Sequence, residues 1–342
     1  MNKKNTPEID FVIAWVDGSD PAWLEERNRY RCETGDARAT RYRDWGLLPY
    51  WFRAVEKYAP WVRKIHFITW GHLPEWLDTT NPKLNIVKHT DYIPAEYLPT
   101  FQSHTIELNM HRIEGLAEHF VYFNDDMFLT REVTPEYFFR NGLPCDCFSL
   151  QSINFRPNSI GWIYGSNISV INKNFSMRPT LKKHWKKVFD PRNGVKKVIR
   201  TALHAICHPW FPGLFYSHTA AIYLKSTLET LWDREFQILD ETCRCRFREK
   251  TNVSHVVFKN WQLVTGQFSP ASAKTCRVYH LRKKQTASAC RDIRNKTYAS
   301  FCINDSGKFD DIETVADQFK AAFEDVLPQK CSFEKRGKEG TV

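Results

Sequence analysis

Several familiar catalytic signatures are missing from this chain. No G-x-x-x-x-G-K-[ST] run and no G-x-G-x-x-G run occurs, which leaves P-loop and Rossmann dinucleotide chemistry without support. No G-x-S-x-G elbow occurs, so an α/β-hydrolase serine is not indicated. Apolar residues nowhere approach the roughly 18 in succession that a membrane span requires. The first eight residues are polar and hold no apolar core of a signal peptide, so a cytoplasmic location is the expectation. Low-complexity tracts are absent apart from a short polar tail, and no internal repeat is found.

What is present suits a large folded enzyme. The chain has 342 residues, 42% of them hydrophobic, enough for one large domain or two closely joined ones. Ten cysteines occur, and without an export signal reduced thiols are the default. Two pairs, Cys145/Cys147 and Cys243/Cys245, have C-x-C spacing, a poor match to a structural zinc site. The net charge of +10 points to an anionic partner: nucleotide phosphates, an acidic polysaccharide or an anionic membrane surface. No nucleic-acid motif accompanies it, so no nucleic-acid partner is expected.

Strands and helices alternate over the first 125 residues. Ile9 to Val16 reads as a buried strand, then Pro21 to Arg29 as a helix capped by Asp20. A helix over Leu47 to Tyr58, a strand over Lys64 to Trp70 and a weaker strand over Leu84 to Lys88 follow. Ser103 to His119 reads as one helix, and Phe120 to Asn124 as a short buried strand that delivers Asp125 and Asp126 at its end. This order favours an α/β fold: a mostly parallel sheet flanked by helices, with ligands at the carboxyl ends of its strands. Residues 151–216 are basic and aromatic, with lysines at 182, 183, 186, 187, 196 and 197, and read as a helical or irregular insertion. Residues 1–150 and 217–328 are then expected to form one catalytic domain. Within the second part, Thr219 to Glu235 looks helical, Val253 to Thr265 helical or mixed, and Ser300 to Asn304 a late strand. Asp311 to Val326 reads as an amphipathic helix, and residues 329–342 as a mobile polar tail.

Seven constellations could carry chemistry. Asp17-Gly18-Ser19-Asp20 puts two carboxylates at a strand end, where they suit Mg2+ or ribose hydroxyls, though Asp20 before Pro21 serves equally as a helix cap. Asn124-Asp125-Asp126 ends an apolar strand in two adjacent acids, which is costly unless a cation sits there; a solvated turn is the plainer reading. His104, Glu107 and His111 share one side of the expected helix, as an acid/base or metal cluster or an ordinary polar face. Arg41-Tyr42-Arg43-Asp44 and Arg246-Phe247-Arg248 offer guanidinium forks for phosphate, or surface ion pairs. Asn304-Asp305 repeats the strand-then-acid arrangement, and His218 follows an aromatic, proline-rich approach.

Taken together these segments resemble the Stealth family of bacterial capsular and exopolysaccharide phosphotransferases, to which the animal N-acetylglucosamine-1-phosphotransferase is distantly similar. The resemblance is carried by IDFVIAWVDGSDP (9–21), by residues 41–129, by residues 217–266, by FCINDS (301–306) and by the late LPQKCSFEK. It covers nearly the whole chain except residues 151–216. Two departures stand out: Gln102 where asparagine is expected, and Trp45 in place of a more polar neighbour of Arg43-Asp44. The resemblance implies transfer of a hexose-1-phosphate, commonly N-acetylhexosamine-1-phosphate, from a UDP-sugar donor to a polysaccharide or lipid-linked saccharide acceptor, with release of UMP.

Carried over by motif, the expected catalytic residues are His218, His104, Asp17, Arg43, Glu107 and Arg246. Asp17, Asp20, Asp44, Asn124 and Asn304 are expected around the nucleotide. Asp125 and Asp126, then Asp305, are expected to hold Mg2+ or Mn2+. His218 is the first choice as general base and His104 its rival. Two other readings compete: an ordinary metal-dependent glycosyltransferase, and a non-catalytic module that docks at a membrane. The basic segment is weighed as a peripheral contact with the inner face of a membrane or as an ordinary solvated surface.

Overall fold

The computed structural model describes residues 7–31, 42–157, 159–280, 283–305 and 312–336, and for 283–284 their backbone only. Eleven strands occur among them: β1 (Ile9–Ala14), β2 (Ile65–Thr69), β3 (Leu84–Lys88), β4 (His119–Asn124), β5 (Met127–Leu129), β6 (Phe139–Arg140), β7 (Leu143–Asp146), β8 (Ala221–Leu224), β9 (Ser269–Pro270), β10 (Cys276–His280) and β11 (Ser300–Asn304). The central sheet runs β3-β2-β1-β4-β8. Its first four strands are parallel, and β8 closes one edge antiparallel to β4. The fold is therefore α/β with a parallel-rich sheet, as the alternation in the sequence indicates.

Side chains on β1 and β4 alternate between the two faces, so each strand feeds two cores. Phe11, Ile13, Val121 and Phe123 join one core with Trp51 and Phe52 of the helix Leu48–Tyr58. Val12, Phe120 and Tyr122 join the other with Phe258 and Trp261 of the helix Val256–Val264. Each such fully buried aromatic contributes about 1.5–3 kcal/mol over leaving it exposed. The one acid inside β1, Asp10, is fully buried, and three groups satisfy it. The Arg63 guanidinium donates to Oδ1 at 2.8 Å, His66 Nε2 lies 3.0 Å from Oδ2, and the Ala117 N–H donates to Oδ2 at 2.8 Å.

The chain passes from β4 to β5 through the two-residue turn Asp125-Asp126. β5 then pairs antiparallel with β11 in a second sheet, ordered β10-β11-β5. That turn is thus the corner between two sheets. In the central sheet β1 lies between β2 and β4, so the chain order reverses there. The carboxyl ends of β1 and β4 flank this switch point, where ligands bind in open α/β sheets.

Three local expectations need correction. The helix expected over 103–119 stops at Leu108 and passes into a short 3-10 turn, Met110–Arg112. The Asn109 side-chain amide takes the Thr105 carbonyl at 2.8 Å, and the Trp232 indole takes that of Leu108 at 2.8 Å, so the helical acceptors at the break are already used. Residues 219–235 are not all helix, because Ala221–Leu224 pairs with β4 before the helix Lys225–Arg234 begins. The terminal segment is not a free tail at residues 331–336. Phe333 and Glu334 are buried, and Arg53 donates to Glu334 Oε1 at 2.7 Å. The basic segment 151–216 is largely helical and sends Ile168, Ile171, Leu181 and Phe211 into the same core as Phe120.

Candidate active site

A cleft of 520 Å³ opens at the switch point. Ala14, Trp15 and Val16 bring the end of β1 to it, and Asn124, Asp125 and Asp126 the end of β4. Ile303, Asn304 and Asp305 arrive from β11, Arg43 and Asp44 from the loop before the helix Leu48–Tyr58, and His104 and Glu107 from the helix Ser103–Leu108. His218 reaches in from the segment before β8. Of the residues singled out in the sequence, Arg43, Asp44, His104, Glu107, Asn124, Asp125, Asp126, His218, Asn304 and Asp305 all line this one cavity.

The carboxylates at the corner are crowded. Asp125 opens onto the cleft yet is surrounded by protein; burial, then the charges of Asp126 and Asp44, push its pKa up to about 8. One Asp126 oxygen, Oδ1, is buried without a hydrogen-bond partner. Its other oxygen, Oδ2, accepts from the Cys302 thiol at 3.1 Å and faces His218 Nε2 at 3.6 Å. Burial would lower the His218 pKa, but the Asp126 carboxylate outweighs it and raises the imidazole above its ordinary value.

Donor atoms of Asp126, His218 and Cys302 lie within 4.8 Å of one another, so the group could hold a metal ion. The chemistry of the set favours oxygen. Burial and the two aspartates hold the Cys302 thiol well above its ordinary pKa, so it acts as a hydrogen-bond donor. An orphaned carboxylate oxygen beside a second carboxylate fits a hard divalent cation.

Asp305 does not stand free for a metal. Its Oδ2 takes a hydrogen bond from Arg43 Nη1 at 2.8 Å, so an acid expected at the metal and a cation expected at phosphate neutralise each other. Asn304 extends its amide to His280 Nδ1 at 3.1 Å. Asp44 accepts from the Gly46 N–H at 2.7 Å, which shapes its own loop.

A second layer lies deeper. Glu107 is buried and accepts from the Tyr122 hydroxyl at 3.3 Å, while its other oxygen sits 4.0 Å from His255 Nε2. His255 Nδ1 in turn meets the Tyr223 hydroxyl at 2.6 Å. The sequence carries no signal for His255, a lone histidine in an apolar stretch. Gln102 spends its amide on the carbonyls of Thr242 and Cys245, tying the floor of the cleft to the end of the helix Phe236–Arg244.

Four expected residues fall elsewhere. Asp17 is bound up in its own turn, accepting from the Ser19 N–H at 2.8 Å and the Ser19 hydroxyl at 2.6 Å. Asp20 caps the helix Pro21–Tyr30 through the Trp23 N–H at 2.9 Å. Neither lines the cleft, although the two residues before Asp17 do. Arg246 is exposed and stacks 4.6 Å over the Tyr30 ring, whereas Arg248, two residues on, lines the cleft and donates to the Ser103 hydroxyl at 3.0 Å. His111 leaves the His104–Glu107 side with the helix break and lies against Trp232, where burial drives its pKa down to about 3. Arg41 lies outside the described residues.

Residues 7–35 match the family model described as Stealth protein conserved region 1, and residues 41–145 match that of conserved region 2. The chain is 38% identical over 340 residues to the capsular polysaccharide phosphotransferase WcwK of Streptococcus pneumoniae, covering 97% of this chain and 100% of that one. It is 37% identical to the receptor polysaccharide phosphotransferase WefC of Streptococcus gordonii, over 96% and 99% of the two chains. The exopolysaccharide phosphotransferase cps2G of Lactiplantibacillus plantarum is 36% identical over 96% of each. Among solved structures the galactosyltransferase LgtC, bound to donor and acceptor sugar analogues, aligns over 93% of this chain and 96% of its own. Its 11% identity and TM-score of 0.39 are too remote to bear on the site.

Proposed function

This chain belongs to the Stealth protein family and is a transferase, and from that premise we propose that it moves a hexose-1-phosphate from a UDP-sugar onto a sugar hydroxyl. The group is N-acetylhexosamine-1-phosphate in the first instance. The product is the phosphodiester of a capsular or exopolysaccharide, and UMP is released. One observation carries the reading: Asp125, Asp126, His218, Arg43 and Arg248 meet in one cleft at the carboxyl ends of the central strands.

In the reaction the acceptor oxygen attacks the β-phosphorus in line. A new O–P bond forms, the bond from that phosphorus to the bridging oxygen breaks, and the bridging oxygen leaves on UMP. His218 takes the acceptor's proton, and Asp126, 3.6 Å away, steadies the imidazolium that results. Arg43 and Arg248 hold phosphate oxygens; a guanidinium has five N–H groups, so Arg43 can keep Asp305 and still reach a phosphate. Asp305 thereby positions Arg43. Mg2+ or Mn2+ held by Asp125 and Asp126 would offset the charge growing on the leaving phosphate. Asp17 and Asp20 act by ordering the turn that ends β1, beside the nucleotide.

The acceptor seat we assign is a second cavity of 360 Å³ that shares Tyr164, Tyr216 and Val256 with the cleft. Its lining includes the neutral amides Gln151, Asn154 and Asn260 and the hydroxyls of Ser152 and Ser159, with Arg156 at its wall. The Asn260 side-chain oxygen is buried there without a partner. Neutral amides beside aromatic rings suit the hydroxyls and faces of a sugar.

The test is purified protein with Mg2+ and a panel of UDP-sugars, followed by phosphorus NMR. UMP with a phosphodiester supports the proposal. UDP with a glycoside overturns it in favour of ordinary glycosyl transfer.

A further inference from the structure

One helix of this molecule is inside out. Over Val195–Cys207 the apolar residues Val195, Ile199, Leu203 and Ile206 are 65%, 55%, 59% and 74% exposed. At 100° per residue these four fall within a single quadrant of the helix. The side turned to the protein sets Ala205 against the core and is otherwise largely polar. Thr201 is buried, its hydroxyl accepts from the Leu150 N–H at 3.1 Å, and Arg200 donates to the Ser149 hydroxyl at 3.0 Å. Lys197 lies 3.5 Å over the Phe215 ring on that side too. A surface helix of a globular protein ordinarily does the reverse, burying its apolar stripe.

The segments that precede and follow the helix in the chain carry exposed groups of two further kinds. Trp210, just past the helix, is 59% exposed, and Trp185, ten residues before it, is 57% exposed. Lys196 sits at the edge of the stripe, and Lys182, Lys183 and Lys186 in the preceding helices are exposed as well. Apolar residues, flanking indoles and several lysines match the layers of a lipid surface: acyl boundary, interface and anionic headgroups. A helix of 13 residues is about 20 Å long, well short of a bilayer's hydrocarbon core of about 30 Å, so it would lie in the plane of the interface. A second copy of this chain is a poor occupant, since it would bring the same lysines and a net charge of +10 against their like.

We propose that the helix Val195–Cys207, with Trp185 and Trp210, is a docking surface for an anionic lipid bilayer. The contact does not depend on the reaction assigned to the cleft.

The test uses the full chain, sedimented with vesicles of phosphatidylcholine containing about a third phosphatidylglycerol, and with phosphatidylcholine alone. Wild type is expected to pellet with the anionic vesicles and to be released by added salt. Leu203→Glu with Ile206→Glu changes only exposed positions and is expected to weaken that binding by at least about tenfold. Serine at Lys182, Lys183, Lys186 and Lys196 is expected to weaken it while leaving residual binding. Asp125→Asn is expected to bind like wild type, which separates docking from catalysis. The proposal is overturned if wild type stays in the supernatant, or if it binds neutral vesicles equally well. It is also overturned if the glutamate pair binds unchanged, or if sedimentation velocity shows a dimer that this pair dissolves.

Discussion

His218 Nε2 lies 3.6 Å from Asp126 Oδ2, although one residue sits in the turn after β4 and the other in the segment before β8, nearly a hundred positions on. The carboxylate that raises the imidazole's pKa also belongs to the pair assigned to the metal, so base and metal share a wall of the cleft. His218→Ala is therefore expected to slow turnover by about 10²- to 10⁴-fold while UDP-sugar still binds. Single-turnover rates beside a donor-binding measurement check this. If His218→Ala turns over at close to wild-type rate, the proton goes to His104.

Arg246 and Arg248 make a matched pair of probes, because one stacks on Tyr30 outside the cleft and the other lines it. Arg248→Met is expected to lower kcat/KM by about 10²- to 10³-fold, the usual cost of removing a donor aimed at developing charge. Arg246→Met is expected to stay within about threefold of wild type, as surface substitutions do. Equal losses at both positions would reject the assignment of phosphate binding to Arg248.

The central strands were legible because their apolar runs are short, branched and bounded by turns, and β1, β2, β3, β4 and β11 lie where those runs are. The acidic corner was legible for the same reason: two carboxylates directly after the apolar run FVYFN mark where the strand ends. What escaped was set by tertiary contacts. Nothing local in residues 103–119 announces that Trp232 will occupy the carbonyl of Leu108 and end the helix. Ala221–Leu224 precedes a strong helical stretch and becomes a strand only because β4 offers an edge. Neighbouring arginines in an irregular loop carry no period to say which one turns inward, and His255 and Cys302 enter the site only through the packing of distant elements.

Gly18 illustrates a motif residue whose role is steric. A Cβ there would lie 2.0 Å from the Tyr42 carbonyl oxygen, so the loop bearing Arg43 and Asp44 can close over the turn only if this position is glycine. Gly18→Ala is expected to cost about 1–3 kcal/mol of stability, as overpacking does. It should also displace Arg43 and lower activity more than the small change in melting temperature would explain. Thermal unfolding and a rate assay on the same sample decide it; an alanine variant with full activity would show that the loop relaxes freely.

Asp10 should govern acid stability. Burial raises its pKa, but the hydrogen bonds from His66, Arg63 and Ala117 outweigh that and hold it below the ordinary carboxylate value. A depressed acid contributes stability that is fully present above its unfolded pKa near 3.8 and is lost as pH falls through the folded value. Asp10→Asn strands Arg63 and the buried His66, and is expected to cost about 3–5 kcal/mol at neutral pH. It should also flatten the decline of melting temperature below about pH 4. An unchanged acid limb would assign that limb to other carboxylates.

Asp125 should behave in the opposite sense. Its surroundings and the charges of Asp126 and Asp44 push its pKa up to about 8, so without a cation folding costs the work of holding a proton on a group that is ionised in the unfolded chain. Asparagine needs no proton there, so the substitution removes that cost. Asp125→Asn is therefore expected to raise the melting temperature in chelator while lowering activity by at least about 10²-fold. The same variant should lose the further rise that Mg2+ or Mn2+ is expected to give the wild type, since an ion that binds only the folded protein stabilises it by mass action. Melting curves with and without each ion, compared between wild type and variant, separate the two effects. If wild type does not respond to either ion, or the variant responds equally, the cation does not sit at Asp125, and the acids at this corner must be neutralised by protons or by arginine.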